Sequence, residues 1–94
     1  MALRIEYIGA EWCKSCKTIY PKVESLGNKF SITLVSKDLD VDLNEAEKET
    51  ITKLPTIRIY KDSNQVQEYF VNQVESLTNW LQENVKIKVA ESDF

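Results

Sequence analysis

The residues of this chain best suited to covalent chemistry are Cys13 and Cys16, three positions apart in the run EWCKSCK that spans Glu11 to Lys17. The chain has no other cysteine and no histidine. A thiol pair so spaced can close to a disulfide and reopen, can attack a disulfide in another molecule, or can supply part of a metal site. Structural zinc asks for four nitrogen or sulfur ligands, more than these residues offer. An iron–sulfur cluster needs ligands from a second chain or from glutathione. A small structural disulfide, or two inert buried thiols, is the remaining non-catalytic reading.

The elements that must position the pair can be read on either side of it. Leu3 to Ile8 is rich in β-formers and stops at Gly9, which predicts a central strand. Behind the cysteines, Cys16, Ile19, Val23, Leu26 and Phe30 recur at spacings of 3, 4, 3 and 4, the stripe of a helix packed on one face. Pro21 lies inside that helix and is expected to kink it. Cys13 then sits at a strand-to-helix junction, where free N–H groups and the macrodipole favour a thiolate. Cys13 is therefore expected to be the exposed nucleophile. Cys16, one turn on and facing the core stripe, is placed to attack a mixed disulfide on Cys13 and release the reduced partner.

Further along, Ser31 to Lys37 predicts a second strand, joined to the first through the helix as a parallel unit. Asp38 to Asp42 leads into a short helix around Leu43 to Thr52, with Asp42 or Asn44 as its N-cap. Thr56 to Tyr60 and Gln65 to Val71 alternate about the turn Lys61 to Asn64, which is a hairpin pattern. Val74, Leu77, Leu81 and Val85 mark one face of a last helix, with Trp80 beside them, and Lys86 to Phe94 reads as a frayed tail. The order β-α-β-α-β-β-α describes an α/β domain with a mixed sheet and helices on both faces.

Ninety-four residues, 43% of them apolar, are expected to make one self-sufficient domain, residues 1–94. A net charge of −3 with scattered basic residues argues against nucleic acid. MALRIEYIG is too short and mixed for a signal peptide, and no apolar run approaches the ~20 residues of a membrane span, so no membrane partner and a cytoplasmic location are expected. In a reducing compartment two lone thiols point to catalysis or metal binding rather than to a secreted scaffold.

Taken with that element string, Trp12, Cys13, Cys16, Lys17 and Pro21, preceded by Ala10 and Glu11, resemble the active-site motif of the thioredoxin family. Leu54-Pro55-Thr56 resembles the family's cis-proline loop. The resemblance runs from about Leu3 to Val85 and implies the thioredoxin fold around a central four-stranded mixed sheet. It implies a protein-disulfide reductase, with Leu54 and Pro55 contacting substrate, Trp12 as an apolar wall and Val71-Asn72 on the far side of a groove that takes extended peptide. No bound cofactor is implied, the redox group being the Cys13–Cys16 pair, and no metal. Implied partners are disulfide-containing proteins, with thioredoxin reductase or the glutathione system as electron donor, and the chain is expected to be monomeric.

Four departures qualify the resemblance. Only two residues precede the first strand, where thioredoxins usually have a further strand and helix, so the fold is expected to be nearer the minimal core of glutaredoxins. Lys14-Ser15 replaces the usual Gly-Pro between the cysteines; a cation and a hydroxyl near Cys13 favour thiolate and a less negative potential. Tyr7 stands where the family has a buried Asp beneath the second cysteine. With a reference pKa of about 10 it is a poor base, which leaves Cys16 to rely on water or another carboxylate. Asn72 replaces the usual Gly of the substrate loop. The alternatives are glutaredoxin-like or isomerase and oxidase chemistry at the same site, or a non-redox binding module.

Overall fold

The computed structural model describes residues 3–85, so the tail expected over Lys86 to Phe94 lies outside the described residues. Strand β1 (Leu3–Gly9) leads through a tight turn into helix α1 (Lys14–Phe30). Strand β2 (Thr33–Asp38), the short helix α2 (Glu45–Glu49), strands β3 (Thr56–Lys61) and β4 (Asn64–Phe70), a 3-10 turn (Val71–Gln73) and helix α3 (Val74–Asn84) follow. The sheet order is β2-β1-β3-β4. β2 runs parallel to β1, and β3 is antiparallel to both β1 and β4. The expected α/β order and the central place of β1 are both found.

The core follows from the side-chain alternation of β1. Ile5 and Tyr7 join Ile57 and Ile59 of β3 in one buried cluster with the α1 stripe Cys16, Ile19, Val23, Leu26 and Phe30, and with Leu77 and Leu81 of α3. Each large aliphatic side chain so buried contributes roughly 1.5–3 kcal/mol. Arg4, Glu6 and Ile8 point the other way, toward Leu43, Asn44 and Thr50 around α2. Glu6, as its parity predicts, is on this second face, paired with Arg4 at 2.9 Å and Lys37 at 3.7 Å. α1 continues through Pro21 as one helix of 17 residues.

Several boundaries move, α2 ending at Glu49 rather than Thr52 among them, and three do so for a clear local reason. Ser31 adopts the left-handed conformation (φ 58) and caps α1, with the Ile32 N–H returning to the Gly27 carbonyl at 2.8 Å, so β2 begins at Thr33 rather than Ser31. Asn44 and not Asp42 caps α2. Its side chain accepts from the Glu47 N–H while Glu47 accepts from the Asn44 N–H, and this capping box sets the helix start at Glu45. Val71 leaves the hairpin for the 3-10 turn, where the Phe70 N–H is taken by the Gln73 side chain. No helix among the described residues is long and apolar enough to cross a membrane.

Candidate active site

The turn after β1 delivers Cys13 to the N-cap of α1, with its N–H on the Ala10 carbonyl at 3.0 Å. The cap is made by sulfur: Sγ of Cys13 accepts the Cys16 N–H at 3.2 Å. Cys13 and Cys16 are joined as a disulfide with their Cα atoms 5.3 Å apart. On reduction, that N–H and the positive end of a 17-residue helix both face the Cys13 sulfur and favour its thiolate. The first turn carries no acidic residue to oppose this, and Lys14 and Ser15 are exposed beside it.

Cys13 is not as open as its position in the chain predicts. It is 9% exposed and Cys16 4%, and both belong to the core cluster. The N-cap geometry explains this, because the sulfur that caps the helix is turned back over its first turn. Cys13 remains the more exposed of the two residues.

Sheet register gathers the other expected residues at this end of the molecule. Ile8 pairs with Thr56, and Thr56 with Phe70, so the segments before β3 and after β4 both meet the end of β1. Pro55 is buried and its peptide bond with Leu54 is cis. Thr56, 1% exposed, fixes this approach through its hydroxyl, which donates to the Lys53 carbonyl at 2.6 Å. Val71 and Asn72 are exposed in the 3-10 turn, which packs against α1. Trp12 is 66% exposed, yet held: its indole N–H donates to Asp40 Oδ2 at 2.8 Å.

Asp40 and its neighbours are a part of the site that the sequence pattern does not disclose, since along the chain Asp38 to Asp42 shows only as the lead into α2 and its cap. The segment Asp38 to Asp42 is a turn in which each aspartate has a specific bond. Asp38 Oδ1 accepts the N–H groups of Asp40 and Val41, at 2.8 and 3.2 Å, and Asp42 Oδ2 accepts the Asp38 N–H at 2.8 Å. Aspartate at alternate positions before a helix is a turn signal that the charge pattern concealed. The turn also presents Val41, 80% exposed, next to the aspartate that holds Trp12.

Tyr7 occupies the floor. Its hydroxyl donates to the Cys16 carbonyl at 2.7 Å, and its ring meets that of Tyr20 edge-on at 5.1 Å. Burial, with Tyr20 adding to it, pushes the Tyr7 phenol from 10.0 up to about 12. Tyr7 is thus a clamp on the active-site helix. Tyr7→Phe should cost about 0.5–1.5 kcal/mol, the net worth of one hydrogen bond. An unfolded chain releases the phenolic proton near pH 10 and the folded one holds it to about 12, so stability declines as pH rises through that window. Urea titrations across it should find a shallower decline in Tyr7→Phe, with Tyr69, also raised by burial, accounting for part of what is left.

Among the described residues no group of three or more His, Cys, Asp or Glu side chains is disposed to hold a metal ion. The arrangement is suited to thiol–disulfide exchange, with one sulfur capping α1, a deeper second sulfur and an apolar surround. The comparisons with known proteins agree. The thioredoxin of Chlamydia trachomatis is 32% identical over 59 residues, which are 62% of this chain and 58% of that protein. Thioredoxin 1 of Plasmodium falciparum is 36% identical over 58 residues, 61% of this chain and 56% of that protein. The chain thus matches rather more than half the length of these relatives. A solved structure of Plasmodium falciparum thioredoxin superposes with a TM-score of 0.75 at 29% identity, covering 88% of this chain and 82% of that one. The family profile described as Thioredoxin matches residues 4–83, from the first strand to the last helix and across both sides of the site, and on that match this chain belongs to the thioredoxin family.

Proposed function

We propose that this protein is a thiol–disulfide oxidoreductase that reduces disulfides in protein substrates. The observation that carries the reading is the Cys13 sulfur serving as N-cap of α1 while bonded to Cys16, which is a dithiol built to hold a thiolate in one state and a disulfide in the other. In the reduced protein the Cys13 thiolate attacks one sulfur of the substrate disulfide. A Cys13–substrate bond forms, the substrate S–S bond breaks, and the departing sulfur takes up a proton. Cys16, having given up its thiol proton, then attacks Cys13; the Cys13–Cys16 bond forms, the Cys13–substrate bond breaks, and the second substrate sulfur leaves as thiolate and takes up a proton. Two electrons have passed from the dithiol to the substrate.

Substrate docks, on this reading, as extended peptide between Trp12 on one side and Val71 and Asn72 on the other, with the backbone of Leu54 offered to it and Pro55 beneath. The reaction calls for no further cofactor. A flavin-dependent thioredoxin reductase or glutathione restores the dithiol, and the protein works as a cytoplasmic monomer.

The second reading, glutaredoxin-like or isomerase and oxidase chemistry, rests on Lys14-Ser15. An exposed cation beside the Cys13 sulfur stabilises thiolate and makes the disulfide more oxidising, by an amount that solvent screening keeps modest. Insulin reduction driven by dithiothreitol, together with the potential of the Cys13–Cys16 couple measured against a glutathione buffer, tests both. A reductase turns insulin over at a potential near the roughly −270 mV of thioredoxins. A value of roughly −230 to −180 mV, or less negative still, with slow insulin turnover, would give the site to the second reading.

A further inference from the structure

Cys16 is 4% exposed and must lose a proton before it attacks. The Tyr7 hydroxyl is committed to the Cys16 carbonyl, and Glu6 lies across the sheet with Arg4 and Lys37. What faces Cys16 is Gly9. A Cβ built there would stand 3.2 Å from the Cys16 sulfur and 3.0 Å from Cε1 of Tyr7, so the sulfur lies against bare backbone. In the β1–β2 register Gly9 pairs with Asp38, which puts Asp38 on the same side of the sheet as Tyr7 and the α1 helix. An open cleft of about 470 Å³ joins them, with Cys16, Tyr7, Gly9, Tyr20, Ser36 and Asp38 among its walls.

Resting on the reductase reading, we propose that Asp38 is the proton acceptor for the Cys16 thiol, acting through water in this cleft. Its carboxylate has one oxygen open for the task. Among the described residues both of its hydrogen bonds go to Oδ1, from the Asp40 and Val41 N–H groups, which leaves Oδ2 free to accept from water. Besides Tyr7 and Tyr20, the other charged or titratable groups round the cleft are Glu11 before α1, Lys17 on it, Lys37 on β2 and Asp42 in the turn. Glu11, Lys17 and Asp42 are exposed, Asp42 gives Oδ2 to the Asp38 N–H, and Lys37 is directed to Glu6. Asp38 alone of the carboxylates is half-buried on the strand that neighbours Gly9.

The S–H proton of Cys16 passes to water and from water to Asp38 Oδ2, and the Cys16 thiolate attacks Cys13 Sγ. As the Cys13–Cys16 bond forms, the Cys13–substrate bond breaks, and the electron pair leaves on the substrate sulfur. That sulfur is the site to which the proton returns.

Rapid-quench single turnover of the reduced protein with a disulfide-bridged peptide separates formation of the Cys13 mixed disulfide from its decay. Asp38→Asn keeps an oxygen for the two turn N–H groups and removes the proton acceptor. Decay near neutrality should slow by about tenfold or more, while formation is unchanged. The pH profile of decay should move toward that of an unassisted thiol, near the ordinary pKa of about 8.5, and added imidazole should restore part of the rate. Asp38→Ser, whose hydroxyl can accept the same N–H groups, should behave alike, and Asp42→Asn should leave the profile unmoved. Unchanged decay and pH profile in both Asp38 variants would overturn the assignment, as would equal slowing of both steps with no imidazole rescue. If the wild type forms no mixed disulfide, the reductase reading itself falls and takes this assignment with it.

Discussion

Replacing Cys16 with serine should turn the protein from a catalyst into a trap. The substitution is close to isosteric at a site 4% exposed, so the helix and its cap should survive it. Cys13 keeps its cap position and the backbone N–H that Cys16 now donates to its sulfur, and attack on a substrate disulfide therefore proceeds. Release does not, because no second thiol is available. Insulin turnover should fall on the order of a thousandfold or more, to the level of dithiothreitol alone, and a covalent adduct should accumulate that non-reducing electrophoresis resolves and dithiothreitol dissolves. Cys13→Ser should lose turnover to the same extent and form no adduct. Equal trapping by both variants would contradict the division of labour between the two sulfurs.

The largest effect on stability is expected at Ile57. It is fully buried in β3, paired with Tyr7 of β1 on one side and Tyr69 of β4 on the other, and joins the cluster beneath α1 and α3. Its truncation removes transfer energy and leaves a cavity in the middle of the sheet, where neither flanking strand can close in. Ile57→Ala should cost about 2–5 kcal/mol, a large share of the roughly 5–15 kcal/mol that holds a domain folded. For a chain of this size that lowers Tm by more than about 10 °C. Val41→Ala, at an apolar residue 80% exposed, should change stability by no more than about 0.5 kcal/mol. Urea unfolding of the two variants checks the contrast, and a cost at Ile57 below about 1 kcal/mol would mean that the sheet relaxes as a whole.

Much of the fold is legible in periodicity, because burial acts on whole faces. The 3-4-3-4 stripe from Cys16 to Phe30 is the buried face of α1, and the period of two in β1 divides Tyr7 from Glu6 correctly. Element ends are harder to read, since they depend on single caps. Ser31 in the left-handed conformation and the Asn44–Glu47 box each displace a boundary by about two residues. The site was legible where chemistry dictates residue type, in two thiols at helical spacing. It was not legible where backbone geometry gives an ordinary residue its purpose. Asp38, Asp40 and Asp42 look like solvated charge along the chain, and only the turn reveals one bound to Trp12 and another set beside Gly9. The covering of Cys13 likewise follows from its role as a cap, which depends on where α1 begins.

If two electrons leave the Cys13–Cys16 pair for a substrate disulfide, a single reaction with insulin shows them leaving. The protein is reduced, freed of reductant, mixed with a small excess of insulin, quenched in acid at successive times and alkylated for intact mass analysis. Both thiols should vanish together as insulin thiols appear in equal number, with the product mass that of the intramolecular Cys13–Cys16 disulfide. Thiols that stay free and alkylatable while insulin remains intact would contradict the reductase reading, and would leave a thioredoxin-family scaffold whose dithiol serves some other purpose.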